Sequence, residues 1–194
     1  MAQVTLSSGS IARPYRSPWG AFPIRQMTPI STGAEIHRGR PVTLDYTANS
    51  TNVGKIKASS ADATWFLVGL AGQGSTVSSG VEPQPIPVCE ANPMVEFVAN
   101  TIGGVVVSSV IGLRKKLTWD STLNIAVVDV SASSAADWRV IVTGCNGVNG
   151  QTGLQGDLGD SGAQVLFRFL PSLTENVGSS IALTSTTPTL AFFG

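Results

Sequence analysis

Gly144-Cys-Asn-Gly147-Val-Asn-Gly150-Gln-Thr-Gly153-Leu-Gln-Gly156-Asp-Leu-Gly159-Asp-Ser-Gly162 sets a glycine at every third position, seven times in succession. The stretch lies between two apolar runs rich in β-branched and aromatic residues, Trp138 to Thr143 before it and Gln164 to Leu170 after it. Both runs read as strands. Three constructions share the pattern. A collagen triple helix requires glycine at each third residue, because only glycine fits its crowded axis. Gly159-Asp160-Ser161-Gly162 matches a word found around catalytic serines. A long loop on a β scaffold also uses glycine freely. No proline occupies the intervening positions, and the flanking strands are expected to pair, so the loop is the favoured reading.

Outward from this stretch, the chain reads as all-β. Of its 194 residues 42% are hydrophobic and only 12% are charged, about half the usual charge. No segment combines a sustained helical period with a cap and a stop. Val42-Thr-Leu-Asp-Tyr-Thr47 alternates apolar and polar residues, and Val53–Lys57, Trp65–Ala71, Val88–Glu90, Val95–Ala99 and Val105–Leu113 are further strand candidates. Residues 1–32 differ in texture. Pro14, Pro18, Pro23 and Pro29 exclude helix, while Tyr15, Trp19 and Phe22 are interleaved with them. Free arms are poor in aromatics, so this extended arm is expected to dock on its own body or on a neighbour. The tail ends in Leu190-Ala-Phe192-Phe193-Gly194, an apolar pair that calls for a contact.

The body repeats itself. Val42-Thr-Leu-Asp45 matches Leu117-Thr-Trp-Asp120; Ala58-Ser-Ser-Ala61 with Asp62 and Trp65 matches Ala132-Ser-Ser-Ala135 with Asp137 and Trp138; Val95-Glu-Phe-Val98 parallels Val165-Leu-Phe-Arg168. An internal duplication follows. The expected fold is an internally duplicated sandwich or jelly roll, or tandem small β-barrels, with an extended N-terminal arm. Its divisions fall at 1–32 (arm), 33–110 (first half) and 111–194 (second half with the apolar tail). In that alignment the glycine ladder stands where Gly72 to Asn92 stand in the first half. Trp65 and Trp138, at equivalent positions, read as core.

Net charge is zero, so nothing steers the whole chain to nucleic acid. The distribution is uneven: ahead of Asp45, five arginines (Arg13, Arg16, Arg25, Arg38, Arg40) face one acid, Glu35. A basic arm on an acidic body suggests an acidic partner. Arg114-Lys115-Lys116 lacks interleaved aromatics and reads as a solvated turn. Cys89 and Cys145 form neither a zinc pattern nor a disulfide framework, which fits a reducing cytosol. The N-terminus carries no secretion signal, and no apolar run reaches membrane-spanning length.

Candidate chemistry is thin. In the trypsin-like arrangement Ser161 would be the nucleophile, His37, the only histidine, its base, and Asp45 or Asp62 the orienting acid. Against it, Ala163 replaces the final glycine of the word, His37 lies in Glu35-Ile-His-Arg-Gly39, and too little chain follows Ser161 to finish such a fold. Asn146, Asn149, Asp157 and Asp160 are oxygen donors at no standard calcium spacing. No catalytic residue, metal site or cofactor is assigned.

Gly33-Ala-Glu-Ile36-His-Arg-Gly39-Arg-Pro-Val42, Ala61-Asp62-Ala63 and Val68-Gly-Leu-Ala71, together with the Pro-rich arm, β body and apolar tail, resemble the small β-barrel decoration (cement) proteins of tailed-bacteriophage capsids. The resemblance implies a non-enzymatic structural virion protein, often a homotrimer. It would be assembled in the bacterial cytoplasm and seated on the outer capsid surface, where it clamps neighbouring major capsid subunits. The expected partners are the major capsid protein and further copies of the chain, not nucleic acid or membrane. The expected contact residues are Arg13, Tyr15, Arg16, Trp19, Phe22, Arg25, Phe192 and Phe193. A phage-fibre or lectin-like glycan-binding module is the alternative, and a trypsin-like protease the third.

Overall fold

The computed structural model describes residues 3–6, 10–31, 35–45, 54–59, 67–76, 81–133, 139–148 and 150–170. Tyr46, Trp65, Trp138, Asn149, Asp62, Phe192 and Phe193 lie outside the described residues, as does the rest of the tail. The described chain is all-β, as its alternation demands. Eleven strands run in order: β1 (Arg13–Arg16), β2 (Ile24–Met27), β3 (Pro41–Leu44), β4 (Ile56–Ala58), β5 (Gly69–Ala71), β6 (Ile86–Glu90), β7 (Glu96–Ile102), β8 (Arg114–Asp120), β9 (Ile125–Asp129), β10 (Val140–Cys145) and β11 (Gln164–Phe169).

They form two sheets of one design. The first has the order β2-β6-β5-β3-β4 and the second β7-β11-β10-β8-β9, with β1 added beside β7. Every neighbour pair within these two orders is antiparallel. Each order is then closed into a ring by a parallel contact between its first and third strands in the chain. β7 pairs with β9 over Asn100–Ile102, and the chain just past β2 meets β4 through Pro29 and Ile56. The closing partners stand 27 positions apart in both rings, Pro29 with Ile56 and Asn100 with Val127. Two five-stranded barrels of identical connectivity in tandem are what an internal duplication builds.

The sequence repeats map onto this in part. β3 and β8 hold equivalent places and carry the first matching words, and β5 and β10 are likewise equivalent. The third match needs correction: β7 and β11 are not counterparts but antiparallel neighbours in one barrel, with Phe97 opposite Phe167. Their likeness has a local cause. Both strands point phenylalanines into one core, where Phe97, Phe167 and Phe169 pack with ring centroids 5.0–5.7 Å apart. For the same reason the second barrel starts at Glu96, well ahead of the expected division at 111.

Two more expectations change. Val105–Leu113 is not a strand. It makes one bridge, from Val105 to Ser161, then holds a 3-10 turn at Ser108–Val110 and a glycine at φ 83° (Gly112), and the next strand starts at Arg114. Arg114-Lys115-Lys116 is therefore strand, not turn. Lys115 is buried, and its ammonium donates to the carbonyls of Val130 and Ala132, so it is a structural cation.

The barrels share apolar ground. Met27, Val42, Ile56, Ile86 and Val88 fill the first. The cluster around Phe97 fills the second and continues into Leu67, Leu70 and Cys89 of the first and Ala12 of the arm. The junction is tight at Gly69, where a Cβ would stand 2.0 Å from the Cys89 carbonyl oxygen of the paired strand. Gly69→Ala must push β5 from β6, and it is expected to cost about 2–3 kcal/mol. Thermal unfolding checks this: a midpoint within a degree of the wild type would refute the close approach.

Candidate functional site: the strapped arm and its tryptophan turn

The expected arm is neither free nor irregular. Its first strand, β1, lies antiparallel on β7, with Arg13 opposite Val98 and Arg16 opposite Glu96. Its second, β2, lies antiparallel on β6, with Ile24 opposite Cys89. The prolines fit these places. Pro14 sits on an edge strand, Pro18 in a turn and Pro23 at the entry to β2, where a missing N–H is tolerated. The arm thus runs from the second barrel to the first and straps them together.

Charge fastens the strap. Glu96 is buried, and its carboxylate accepts hydrogen bonds from the Arg16 and Arg168 guanidiniums, the latter at 3.2 Å. Burial alone would raise the Glu96 carboxyl. The hydrogen bond from Arg16 and the charges of Arg16 and Arg168 outweigh it and hold the group below the ordinary carboxylate value. On the other barrel Arg25 pairs with Glu90 at 2.6 Å. Phe22 packs against the large core cluster. Three of the expected contact residues, Arg16, Phe22 and Arg25, are therefore engaged with the protein's own body.

The turn between β1 and β2 points out. Ser17-Pro18-Trp19-Gly20 closes a tight turn: the Gly20 N–H donates to the Ser17 carbonyl (3.3 Å) and the Trp19 N–H to the Ser17 hydroxyl (3.3 Å), with Gly20 at φ 71°. Proline at the second position presets this backbone. It holds Trp19 outward with 58% of its surface exposed. Tyr15 and Arg13 are also exposed. Sequence reasoning missed two neighbours, Ile24 and Met94, at 60% and 53% exposure. Met94 lies in the β6–β7 connection, which crosses between the barrels beside the Trp19 connection. Trp19, Ile24 and Met94 are exposed apolar side chains on or beside the connections between the barrels, and make candidate contact residues.

The glycine ladder serves this body. From Gly147 to Gly162, six glycines adopt φ between 74° and 89°. Collagen requires φ near −75°, so the ladder is a chain of left-handed turns and not a collagen segment. It folds back over the outside of β7 and β11. Leu154 packs on Val98 and Leu166, and the Asn100 amide and Thr101 hydroxyl donate to the Gly162 and Ala163 carbonyls at 2.8 and 2.9 Å. The N-terminal segment lies against it, with the Val4 N–H donating to the Ser161 carbonyl (2.8 Å). The ladder thus covers a face of its own barrel.

The residues of the protease word are held by other partners. Ser161 bridges Gln3 and Val105 through its backbone. Asp45 is buried against Lys57 (2.9 Å). His37 stacks on Trp119 with ring centroids 5.8 Å apart, and its Nε2 lies 3.8 Å from Glu35. Asn146 donates to Asp157 (2.6 Å), and Asp160 accepts from the Asp157 N–H (3.1 Å), so hydrogen bonds within the loop engage an oxygen of each carboxylate. Among the described residues no group of three or more His, Cys, Asp or Glu side chains is placed to hold a metal ion. Both cysteines are buried free thiols; burial, with the Glu90 charge, pushes Cys89 up to about 11. No protein-family model, curated protein or solved structure matches the chain.

Because the folded-state value of Glu96 is lowered, its contribution to holding β1 is complete above the ordinary carboxylate value of about 4.3. It is lost as pH falls through that lowered value. Glu96→Gln is expected to weaken the strap by about 1 kcal/mol, Arg16 being half exposed. Limited trypsin digestion after Arg16 reads this. The variant should be cut several-fold faster at pH 8, and wild-type β1 amides should lose exchange protection as pH falls through the lowered Glu96 value, beneath the ordinary carboxylate range. Equal cleavage of the two proteins would remove Glu96 from the account.

Proposed function

We propose that the protein is a structural, non-enzymatic component of the exterior of a tailed-bacteriophage capsid, acting in several copies to hold neighbouring major capsid subunits together. One observation carries the reading: a preset turn presents Trp19 at the junction of two barrels that its own arm has strapped into one body. A clamp has to resist being pulled apart, so its contact residues belong on elements fastened at both ends. Trp19 is fastened by β1 on one side and β2 on the other. A large aromatic held in its bound orientation loses little freedom on docking and suits the centre of an interface. Low overall charge tolerates extensive burial against neighbours. Arg13, Tyr15, Ile24 and Met94 are further exposed side chains on or beside the strap. The sequence resemblance suggests the partner, and the arm's exposed side chains supply a means of contact.

Co-sedimentation with capsids that lack the protein tests this. Wild-type protein should pellet with the shells. Trp19→Ala should bind roughly 10–100-fold more weakly, the usual loss at an interface anchor. Its thermal midpoint should be unchanged, since the ring is exposed. Absence of shell binding, accompanied by saturable binding to a glycan array, would replace this reading with the glycan-binding one.

A further inference from the structure

The duplication exposes an asymmetry. In the second barrel, one edge of β7 is used twice: its later half, Asn100–Ile102, closes the ring on β9, and its earlier half, Glu96–Val98, receives β1. In the first barrel β2 stands where β7 stands. The chain after it closes the ring through Pro29 and Ile56, with the Ile30 N–H donating to Ile56 and the Ile56 N–H to Thr28 (2.8 and 2.9 Å). The earlier half, Ile24–Gln26, pairs with β6 on one side, and among the described residues nothing pairs with it on the other. All three side chains are exposed.

We infer that the outer edge of Ile24–Gln26 is an acceptor for an extended segment of the partner protein, added antiparallel to β2 as β1 is added to β7. Open edges are hazards that proteins blunt with proline, bulges and charge. The outer edge of β1 carries Pro14, a register shift between Pro14 and Arg16, and two arginines. Ile24–Gln26 has neither proline nor register shift, and its single charge, Arg25, is tied to Glu90. Strand addition needs such an edge, with main-chain hydrogen bonds giving affinity and alternate side chains giving selectivity.

The chemistry of the occupant follows from its surroundings. It is apolar where it meets Ile24. It carries an acidic residue, because the one charge on the edge is Arg25, whose side chain is still half exposed beside Glu90. A second copy pairing edge to edge is disfavoured, since a two-fold axis through this three-residue edge sets Arg25 against Arg25. The inference deepens the shell-binding reading and rests on it only for the partner's identity.

Amide hydrogen exchange at Ile24–Gln26 tests it in two settings. In the first, the full-length protein is titrated with an acetylated seven-residue peptide alternating valine and glutamate. Outward-facing amides should slow at least ten-fold at saturation, and a peptide N-methylated at alternate residues should bind at least ten-fold more weakly. In the second, the protein is bound to capsids. Protection of the same amides there supports the inference directly. Shell binding with these amides still exchanging freely overturns it and leaves the shell-binding function standing. Protection by the peptide without any shell binding keeps the acceptor edge and discards the capsid as partner. Protection in neither setting overturns the inference.

Discussion

One edge of β7 serves two partners, and the rest of the structure depends on that division. The edge can close its barrel only over Asn100–Ile102, because Glu96–Val98 is taken by β1. Seating β1 there brings Arg16 onto the buried Glu96, where two guanidiniums offset the cost of burying a carboxylate. Only with β1 fixed does the Ser17–Gly20 turn have a fixed origin, and only then does β2 start its own barrel in line with the second. Contact surface, strap and tandem arrangement thus follow from one shared edge.

The glycine ladder answers a related constraint. β7 and β11 turn phenylalanines into the barrel, and their alternate residues, Val98 and Leu166, would face water. A helix or a second sheet covers such a face in many β proteins. Here the β10–β11 connection does so, turning at six glycines of positive φ, with Leu154 as the apolar plug and Asn100, Thr101 and Gln164 satisfying the loop's backbone groups. Glycine at every third position is the sequence trace of a loop that must turn left repeatedly while lying flat on a barrel wall.

Much of this was legible in the sequence. Period-two alternation found β3, and apolar runs rich in β-branched and aromatic residues found β10 and β11 closely, while the first half of β8 was read as a turn; the repeated words pointed to the duplication. β1 and β2 were not legible as strands. Each is four residues long, flanked by proline and exposed on most positions, so only its long-range partners make it a strand. Val105–Leu113 failed in the opposite sense: β-branched residues suggested pairing, but Ser108, Ser109 and the left-handed Gly112 turn the chain instead. In the candidate site, aromatics between prolines pointed to Tyr15 and Trp19. Glu96 left a usable signal, an acid inside the apolar run Val95–Val98. Ile24 and Met94 left none, because a lone apolar residue reads as core until its neighbours are known.

The strapped junction, with Trp19 at its tip, is the face proposed to meet the partner. Electron cryomicroscopy of capsids carrying the protein, at a resolution that places side chains, tests this most directly. The account places the Ser17–Gly20 turn in the seam between shell subunits, with Trp19 buried and the glycine ladder still lying on its own barrel. A map in which Trp19 faces solvent while another face of the barrels contacts the shell would contradict it.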